Sequence, residues 1–195
     1  MARGELSLRE ALAFSRPSWW LVTAAPFVAG SLLAEDKLSL TLIVGAFYFL
    51  IPYNLLLHGV SAMFDSELAK IKHPSLWRWI IATNAPFLFY FVFAGNIEAT
   101  VFLIMVIYLV FAYCAPGLRY KEIPLIDSLT SAFHYASPFL FALFLFESPN
   151  LWAPIFAGIY FWAVGNHVYR HGKKKIFYTL AYALAIIAPV LAYVI

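Results

Sequence analysis

Apolar stretches of about twenty residues follow one another along the chain and are separated only by short polar segments. A helix needs roughly 20 apolar residues to cross the hydrocarbon core of a bilayer. The pattern predicts seven transmembrane helices, at residues 17–34, 39–63, 75–94, 98–116, 123–146, 151–169 and 176–195. Because the connecting segments are short, we expect an all-α membrane helix bundle that forms a single domain over residues 1–195.

Four prolines, Pro26, Pro52, Pro86 and Pro138, fall inside these predicted spans. Proline removes a backbone donor and kinks a helix, and in a membrane the freed carbonyl must find a partner on a neighbouring helix or a water. The prolines therefore predict kinked helices. The kinks either allow the helices to surround a cavity or serve only the packing between helices.

Composition excludes a water-soluble protein, since 64% of the residues are hydrophobic and 12% are charged, against roughly 25% charged in a soluble domain. The first sixteen residues carry both signs of charge and lack the apolar core of a signal peptide, so we expect them to be retained. The single cysteine, Cys114, excludes an intramolecular disulfide and predicts a small buried hydrophobe. The absence of glutamine favours a thermophilic archaeal source.

Lysine and arginine fall on one side of the predicted bundle, and only Lys37 falls on the other. The positive-inside rule then places the N-terminus and the segments 65–78, 117–122 and 170–175 in the cytoplasm. Seven spans would leave the C-terminus outside the cell membrane. The cationic side predicts contact with anionic lipid headgroups, and not with nucleic acid.

Tryptophans lie near the ends of the predicted spans, at positions 19, 20, 77, 79 and 152. Indole rings favour the headgroup layer, so we expect these side chains to act as interfacial anchors and not as stacking platforms.

Ionisable and polar residues inside the bilayer are costly and indicate function. In the fifth span Asp127, Ser131 and His134 recur at helical spacing, with Tyr135 beside them, so that they share one face. We therefore expect these side chains to face the interior of the bundle.

Two further polar sets lie towards the same end of the bundle. The second span carries Asn54 and His58, with Asp65 at its cytoplasmic end, and the sixth span ends on Asn166 and His167. Together with the fifth-span stripe they predict a polar pocket that opens to the cytoplasm between the second, fifth and sixth spans. The alternative is that these side chains only bridge helices by hydrogen bonds.

Four segments carry a resemblance to a known family: SRPSWWLVTAAPFVAGSLL, IPYNLLLHGVSAMFDSELAKIKHP, GLRYKEIPLIDSLTSAFHYASP and the stretch Gly165, Asn166, His167. They resemble the UbiA-type intramembrane prenyltransferases, in particular the archaeal, lycopene-elongase-like branch. The resemblance implies a bundle with two further helices and an enzyme that joins a prenyl diphosphate to an acceptor. In that family, aspartates of two motifs coordinate the Mg²⁺ ions that hold the diphosphate.

The aspartate motifs of the family are degenerate in this chain. The positions of the first motif are Ser61, Ala62, Asp65 and Ala69, and the second motif is replaced by NHVYRHGKKK, which has no carboxylate. Basic residues that help to hold the diphosphate in the family correspond to Arg119 and Lys121.

Three hypotheses follow from the residues and the resemblance. The favoured one is a catalytically inactive relative without metal or cofactor, which binds membrane lipid or an isoprenoid and serves as a subunit beside other membrane proteins. The second is an active Mg²⁺-dependent prenyltransferase that uses Asp65, Glu67 and Asp127. The third is a haem- or quinone-binding subunit, with ligands drawn from His58, His134 and His167; all three histidines are predicted inside spans.

Overall fold

The computed structural model describes residues 5–35, 38–64, 74–147 and 153–171, together with 176, 179–181, 183–184 and 187. The helices in these residues are α1 (Leu8–Phe14), α2 (Trp20–Glu35), α3 (Leu40–Leu50), α4 (Pro52–Phe64), α5 (Pro74–Ala94), α6 (Ile97–Cys114), α7 (Pro124–Leu145) and α8 (Ala153–Arg170). Short 3-10 helices lie at Pro17–Trp19 and Tyr120–Glu122. The described residues contain no β-strand, which confirms the predicted all-α class.

Five stretches of the described chain are long and apolar enough to cross a membrane: Pro17–Ala34, Leu40–Phe64, Ser75–Ala94, Ile97–Cys114 and Pro124–Leu145. They match the first five predicted spans within a few residues, and they make the chain a multi-pass membrane protein. The predicted sixth span corresponds to α8, which is not among the five; its last turns carry Asn166, His167 and Arg170. Most of the predicted seventh span lies outside the described residues.

The second predicted span is a pair of helices, because α3 ends at Leu50 and α4 begins at Pro52. The side-chain amide of Asn54 donates to the carbonyl oxygens of Phe49 at 2.8 Å and of Leu50 at 3.1 Å, and to Thr23 Oγ1 at 2.6 Å. Asn54 thus satisfies backbone acceptors that the break leaves open. Asn54 does not line the cavity between α2, α4, α6, α7 and α8, and its predicted role in binding a ligand remains a prediction.

The other three prolines lie within continuous helices, Pro26 in α2, Pro86 in α5 and Pro138 in α7. The helix pair α2 and α7 packs closely, and Gly30 makes this approach possible. A methyl group at Gly30 would lie 2.7 Å from the carbonyl oxygen of Phe139 and 3.0 Å from the Cβ of Ala142. The close contact positions the beginning of α2, and with it Trp19, against α7.

Buried aromatic rings form the centre of the bundle away from the polar residues. Phe27 of α2 stacks on Phe49 of α3 with ring centres 5.1 Å apart, and Phe91 of α5 meets Phe141 of α7 edge to face at 5.0 Å. All four rings are at most 1% exposed. Such pairs add about 0.5–1.5 kcal/mol each beyond the burial of their area.

The N-terminal segment is tied to the beginning of α5. Ser7 and Glu10 form a capping box that starts α1. The indole of Trp79 donates to the carbonyl oxygen of Leu6 at 3.0 Å, and the backbone N–H of Leu6 donates to Ser75 Oγ at 3.3 Å. The N-terminus and the beginning of α5 therefore lie at the same end of the bundle, as their shared positive charge predicts.

Candidate functional site

A cavity of about 570 Å³ lies where α2 begins and where α6 and α8 end. Helices α2, α4, α6, α7 and α8 all contribute to its wall, so it includes the three spans that the sequence placed around a pocket and two more. Its apolar and aromatic lining comprises Trp19, Val22, Leu57, Ala132, Trp162 and Ala163. The volume is that of a typical small-molecule site.

Trp19 is a stacking residue of this cavity, which corrects the prediction that it is only an interfacial anchor. Its indole stacks on the ring of Tyr135 with centres 5.2 Å apart and lies 6.3 Å from the imidazole of His58. Trp77 likewise stacks on Phe111, at 5.8 Å and an interplanar angle of 4°. The tertiary fold brings aromatic partners to these span ends, which spacing along the chain does not reveal.

Trp20 and Trp79, two further predicted anchors, are each held by a hydrogen bond from the indole. Trp20 Nε1 donates to Ser15 Oγ at 2.9 Å, and Trp79 Nε1 donates to the N-terminal segment as described above. Trp152 lies outside the described residues.

Asp127 lies in the protein interior, 7% exposed, behind the cavity wall. The hydroxyl of Tyr113 donates to its Oδ1 at 2.8 Å, and His167 Nε2 lies 3.9 Å from the same oxygen. His167 Nδ1 is 3.4 Å from Ser128 Oγ. Because Tyr113 and His167 line the cavity whereas Asp127 does not, the carboxylate orients two cavity residues from behind.

Two histidines of the cavity wall each have a buried nitrogen without a partner. His58 is 8% exposed and His134 is 2% exposed, and the Nε2 atom of each accepts or donates no hydrogen bond within the described residues. The ring of His134 meets Tyr113 edge to face at 5.4 Å. The described residues contain other buried polar atoms without a partner, such as the Tyr48 hydroxyl and Ser137 Oγ, but His58 and His134 are the residues of this group that line the cavity. Their two nitrogens are therefore the ones that a ligand in the cavity could reach.

Hydroxyl and amide groups complete the polar part of the lining, from Ser61, Ser131 and Asn166. Ser131 and Asn166 are where the sequence predicted them, and Ser61 is a position of the degenerate first motif. Asp65 and Glu67 lie outside the described residues.

Two arginines and a histidine line one part of the cavity: Arg16, Arg170 and His171. All three are exposed. Arg16 has a φ of 49°, a left-handed conformation that is uncommon for a residue other than glycine. His171 lies against His167, with ring centres 4.4 Å apart. Exposed arginines at the opening of a cavity are suited to an anionic group that enters from the aqueous side.

The predicted basic pair lies elsewhere. Arg119 bonds to Glu122 at 2.8 Å across a 3-10 turn, and neither Arg119 nor Lys121 lines the cavity. The family resemblance located them by sequence position, whereas the left-handed backbone at Arg119, with a φ of 43°, begins a turn that pairs it with Glu122. Their predicted role in holding a diphosphate remains a prediction.

The described residues do not fit a Mg²⁺ pair. They contain no group of three His, Cys, Asp or Glu side chains that could hold a metal ion. The carboxylate nearest the cavity is Asp127, which is bonded to Tyr113, whereas Mg²⁺ needs several hard oxygen ligands. For the haem hypothesis, His167 already faces Asp127 and Ser128, and haem or quinone binding remains a prediction.

Sequence reasoning did not identify several residues as part of the lining: Arg16, Trp19, Val22, Tyr113 and Trp162. Arg170 and His171 also line the cavity, and both belong to the NHVYRHGKKK stretch that replaces the second motif. Tyr113 and Arg16 could not be found from the sequence pattern, because their helices meet the cavity only through tertiary packing.

The chain resembles three curated proteins. It is 40% identical over 139 residues to the C(50) beta-cyclic carotenoids biosynthesis protein LbtBC of Dietzia sp., a match that covers 64% of this chain and 32% of that protein. It is 34% identical over 179 residues to the lycopene elongase/hydratase of Corynebacterium glutamicum, covering 83% of this chain and 62% of that protein. It is 29% identical over 171 residues to the lycopene elongase/hydratase of Haloferax volcanii, covering 80% of this chain and 56% of that protein.

This chain thus spans about a third of the Dietzia protein and about three fifths of the Corynebacterium protein. No family model matches it, and no solved structure matches it. The lycopene-elongase-like resemblance is confirmed by these relatives, whereas the wider UbiA-type assignment remains a prediction. The relatives come from bacteria and from archaea, so the thermophilic archaeal source also remains a prediction.

The hypothesis of a catalytically inactive subunit is wrong. Relatives that match most of this chain are named for carotenoid biosynthesis and for lycopene elongation and hydration, which are enzymatic activities. The hypothesis depended on the carboxylates that are missing from the two aspartate motifs.

Proposed function

We propose that this chain is an isoprenoid-modifying membrane enzyme of the lycopene elongase/hydratase type, which joins the prenyl group of a prenyl diphosphate to a lipophilic polyene. The observation that carries the proposal is the similarity to a lycopene elongase/hydratase over 83% of the chain, combined with a cavity that is aromatic inside and cationic at its opening. Because the chain spans only part of its relatives, the activity and both substrates are proposals. Membership of the UbiA-type superfamily is part of the same proposal.

The diphosphate is assigned to the cationic side of the cavity, beside Arg16 and Arg170. A planar guanidinium donates two parallel hydrogen bonds to phosphate oxygens and stays charged throughout the accessible pH range. Two arginines can therefore hold a diphosphate and stabilise the negative charge that grows on it as the allylic C–O bond breaks. No step is assigned to Mg²⁺, since the described residues do not supply its ligands.

The aromatic part of the cavity is assigned to the prenyl group and the end of the polyene. Trp19 and Tyr135 form a stacked pair in the wall, and Trp162 lies on α8. Aromatic faces attract a cation by roughly 0.5–2 kcal/mol, depending on desolvation. An allylic cation formed beside these rings would be stabilised by their faces.

The cavity opens towards the cytoplasm in the proposed orientation. The N-terminal segment, the beginning of α5 and the end of α8 are rich in arginine and lysine, and the positive-inside rule places such segments in the cytoplasm of a cell membrane. Prenyl diphosphates are charged and water-soluble at one end, so a cytoplasmic opening suits their entry.

The test is an assay of the purified chain in lipid vesicles with lycopene as acceptor and dimethylallyl, geranyl or geranylgeranyl diphosphate as donor. We expect diphosphate release together with a longer carotenoid, seen by mass spectrometry. Arg16→Gln and Arg170→Gln should each raise the KM for the donor about tenfold or more, since a hydrogen bond to a charged group contributes about 1.5–3 kcal/mol.

Arg9→Gln is the matched control, because Arg9 is an exposed arginine of α1 that does not line the cavity. It should leave the KM unchanged. Absence of diphosphate release and of a longer carotenoid with every donor would overturn the proposed function.

A further inference from the structure

We propose that His58 is the proton acceptor of this reaction, which removes a proton from the carbocation formed when the prenyl group has joined the polyene. The inference rests on the proposed function, because it requires a cation to form in the cavity. It assigns a catalytic role to a side chain that the degenerate aspartate motifs do not include, and it identifies what decides between an unsaturated and a hydrated product.

The placement of His58 supports this role. It lies on α4, lines the cavity and is 8% exposed, and its Nε2 atom is buried without a hydrogen-bond partner within the described residues. Its ring centre lies 6.3 Å from the indole of Trp19, which stacks on Tyr135. A basic nitrogen therefore lies beside the aromatic pair assigned to the cation. Imidazole is the side chain used most often for proton transfer near neutral pH.

The other basic groups near the cavity are already engaged. Asp127 accepts a hydrogen bond from Tyr113 and does not line the cavity. The two nitrogens of His167 face Asp127 and Ser128. His171 also lines the cavity, but it is exposed to solvent and its ring lies against His167. Within the described residues, this leaves the two buried histidines that have an unpartnered Nε2.

His134 is the second of these histidines, and its position suits the role less well. It is 2% exposed, against 8% for His58, and its ring packs edge to face on Tyr113. His58 is the one of the two that lies in ring contact with Trp19. The assignment to His58 is therefore tested against His134 directly.

The chemistry balances without a further reactant. The allylic C–O bond of the donor breaks, and its electron pair leaves with the diphosphate. An alkene end of the polyene forms the new C–C bond, and the positive charge moves to the neighbouring polyene carbon. The Nε2 lone pair of His58 takes a proton from an adjacent carbon, and the C–H electrons form the new double bond. The imidazolium then returns its proton to the released diphosphate.

Water can also react with the same carbocation. Its oxygen bonds to the cationic carbon, and the resulting oxonium ion gives one proton to the released diphosphate, which leaves an alcohol in place of the alkene. Ser61 and Ser131 place hydroxyl groups in the cavity wall, where they can hold such a water. Proton removal by His58 competes with this addition, so the loss of the imidazole should favour the hydrated product.

The experiment compares wild type with His58→Ala, and separately with His134→Ala, in the vesicle assay, with and without added imidazole. For His58→Ala we expect the rate of alkene formation to fall about a hundredfold, in line with the usual contribution of a positioned base. The fraction of hydrated product should rise, and imidazole should restore part of the alkene. A side chain that only supports the packing would not be rescued in this way.

Phe93→Ala is the folding control, because Phe93 is 83% exposed on α5 and does not line the cavity. If wild type forms no product, the proposed function fails. If wild type is active but His58→Ala, present at wild-type thermal stability, keeps its product ratio and rate, the assignment of His58 fails. A product shift in His134→Ala that is absent in His58→Ala would also overturn it. Should His58→Ala not fold, His58→Asn with the same readouts takes its place.

Discussion

The carboxylate of Asp127 shows at the scale of single residues how a charge is kept inside this bundle. Its Oδ1 atom accepts a hydrogen bond from Tyr113 and lies 3.9 Å from His167 Nε2. A buried carboxylate without partners would be costly. Here it also orients two side chains that line the cavity, so it links stability with the shape of the site.

Tyr113→Phe should lower the free energy of unfolding by about 1–3 kcal/mol, because it removes the donor to a buried carboxylate and leaves the ring in place. Thermal unfolding in detergent measures the change. Asp127→Asn and the double variant complete a double-mutant cycle, and we expect a coupling energy of about 0.5–3 kcal/mol. Additive effects of the two substitutions would mean that the hydrogen bond between them contributes nothing.

Tyr90→Phe is the matched control for this cycle, since its hydroxyl pairs with Thr41 at 3.0 Å and involves no carboxylate. It should cost less than Tyr113→Phe, because a neutral hydrogen bond contributes about 0.5–1.5 kcal/mol.

At the scale of helices, the close contact between α2 and α7 positions the part of the cavity wall that these two helices form. Gly30 allows the backbone of α2 to approach the carbonyl of Phe139. Trp19 directly precedes α2, and its indole stacks on Tyr135, one turn before Phe139 in α7. The site therefore depends on a close contact that lies far from it along α2.

Gly30→Ala should destabilise the protein by about 1–3 kcal/mol, because the added methyl group would meet backbone at 2.7 Å and the helices must separate. The same shift should weaken the stack on Tyr135 and change the tryptophan fluorescence. Ala29→Val adds bulk to the exposed neighbouring position and should leave both readouts unchanged. Equal thermal stability of Gly30→Ala and wild type would contradict the close approach.

At the scale of the whole molecule, the N-terminal segment and the beginning of α5 lie at one end of the described bundle. Arg78 at the beginning of α5 pairs with Glu5 at 3.2 Å, although 79% and 86% of their side-chain surfaces are exposed, so the pair adds little to stability. The pair does show at which end of the bundle the N-terminal segment lies.

The predicted orientation can be tested by labelling in intact cells with a thiol reagent that does not cross the membrane. Cys114 is buried and is first replaced by Cys114→Ala. Single cysteines are then introduced by Glu122→Cys and Glu98→Cys, at two exposed positions at opposite ends of α6 and its following turn. We expect labelling from outside with Glu98→Cys only. Labelling of Glu122→Cys in sealed cells would reverse the proposed orientation.

The sequence by itself determined the class of the protein, the first five spans and the interior position of Asp127, because hydrophobic length, charge bias and helical period depend on local residues. It also located His58, Ser131 and His134 at a pocket. The break at Pro52 and its use of Asn54, the pairing of Arg119 with Glu122, and the entry of Arg16, Trp19 and Tyr113 into the cavity depend on which helices meet. These are contacts between residues far apart in the chain, and only the tertiary structure decided them.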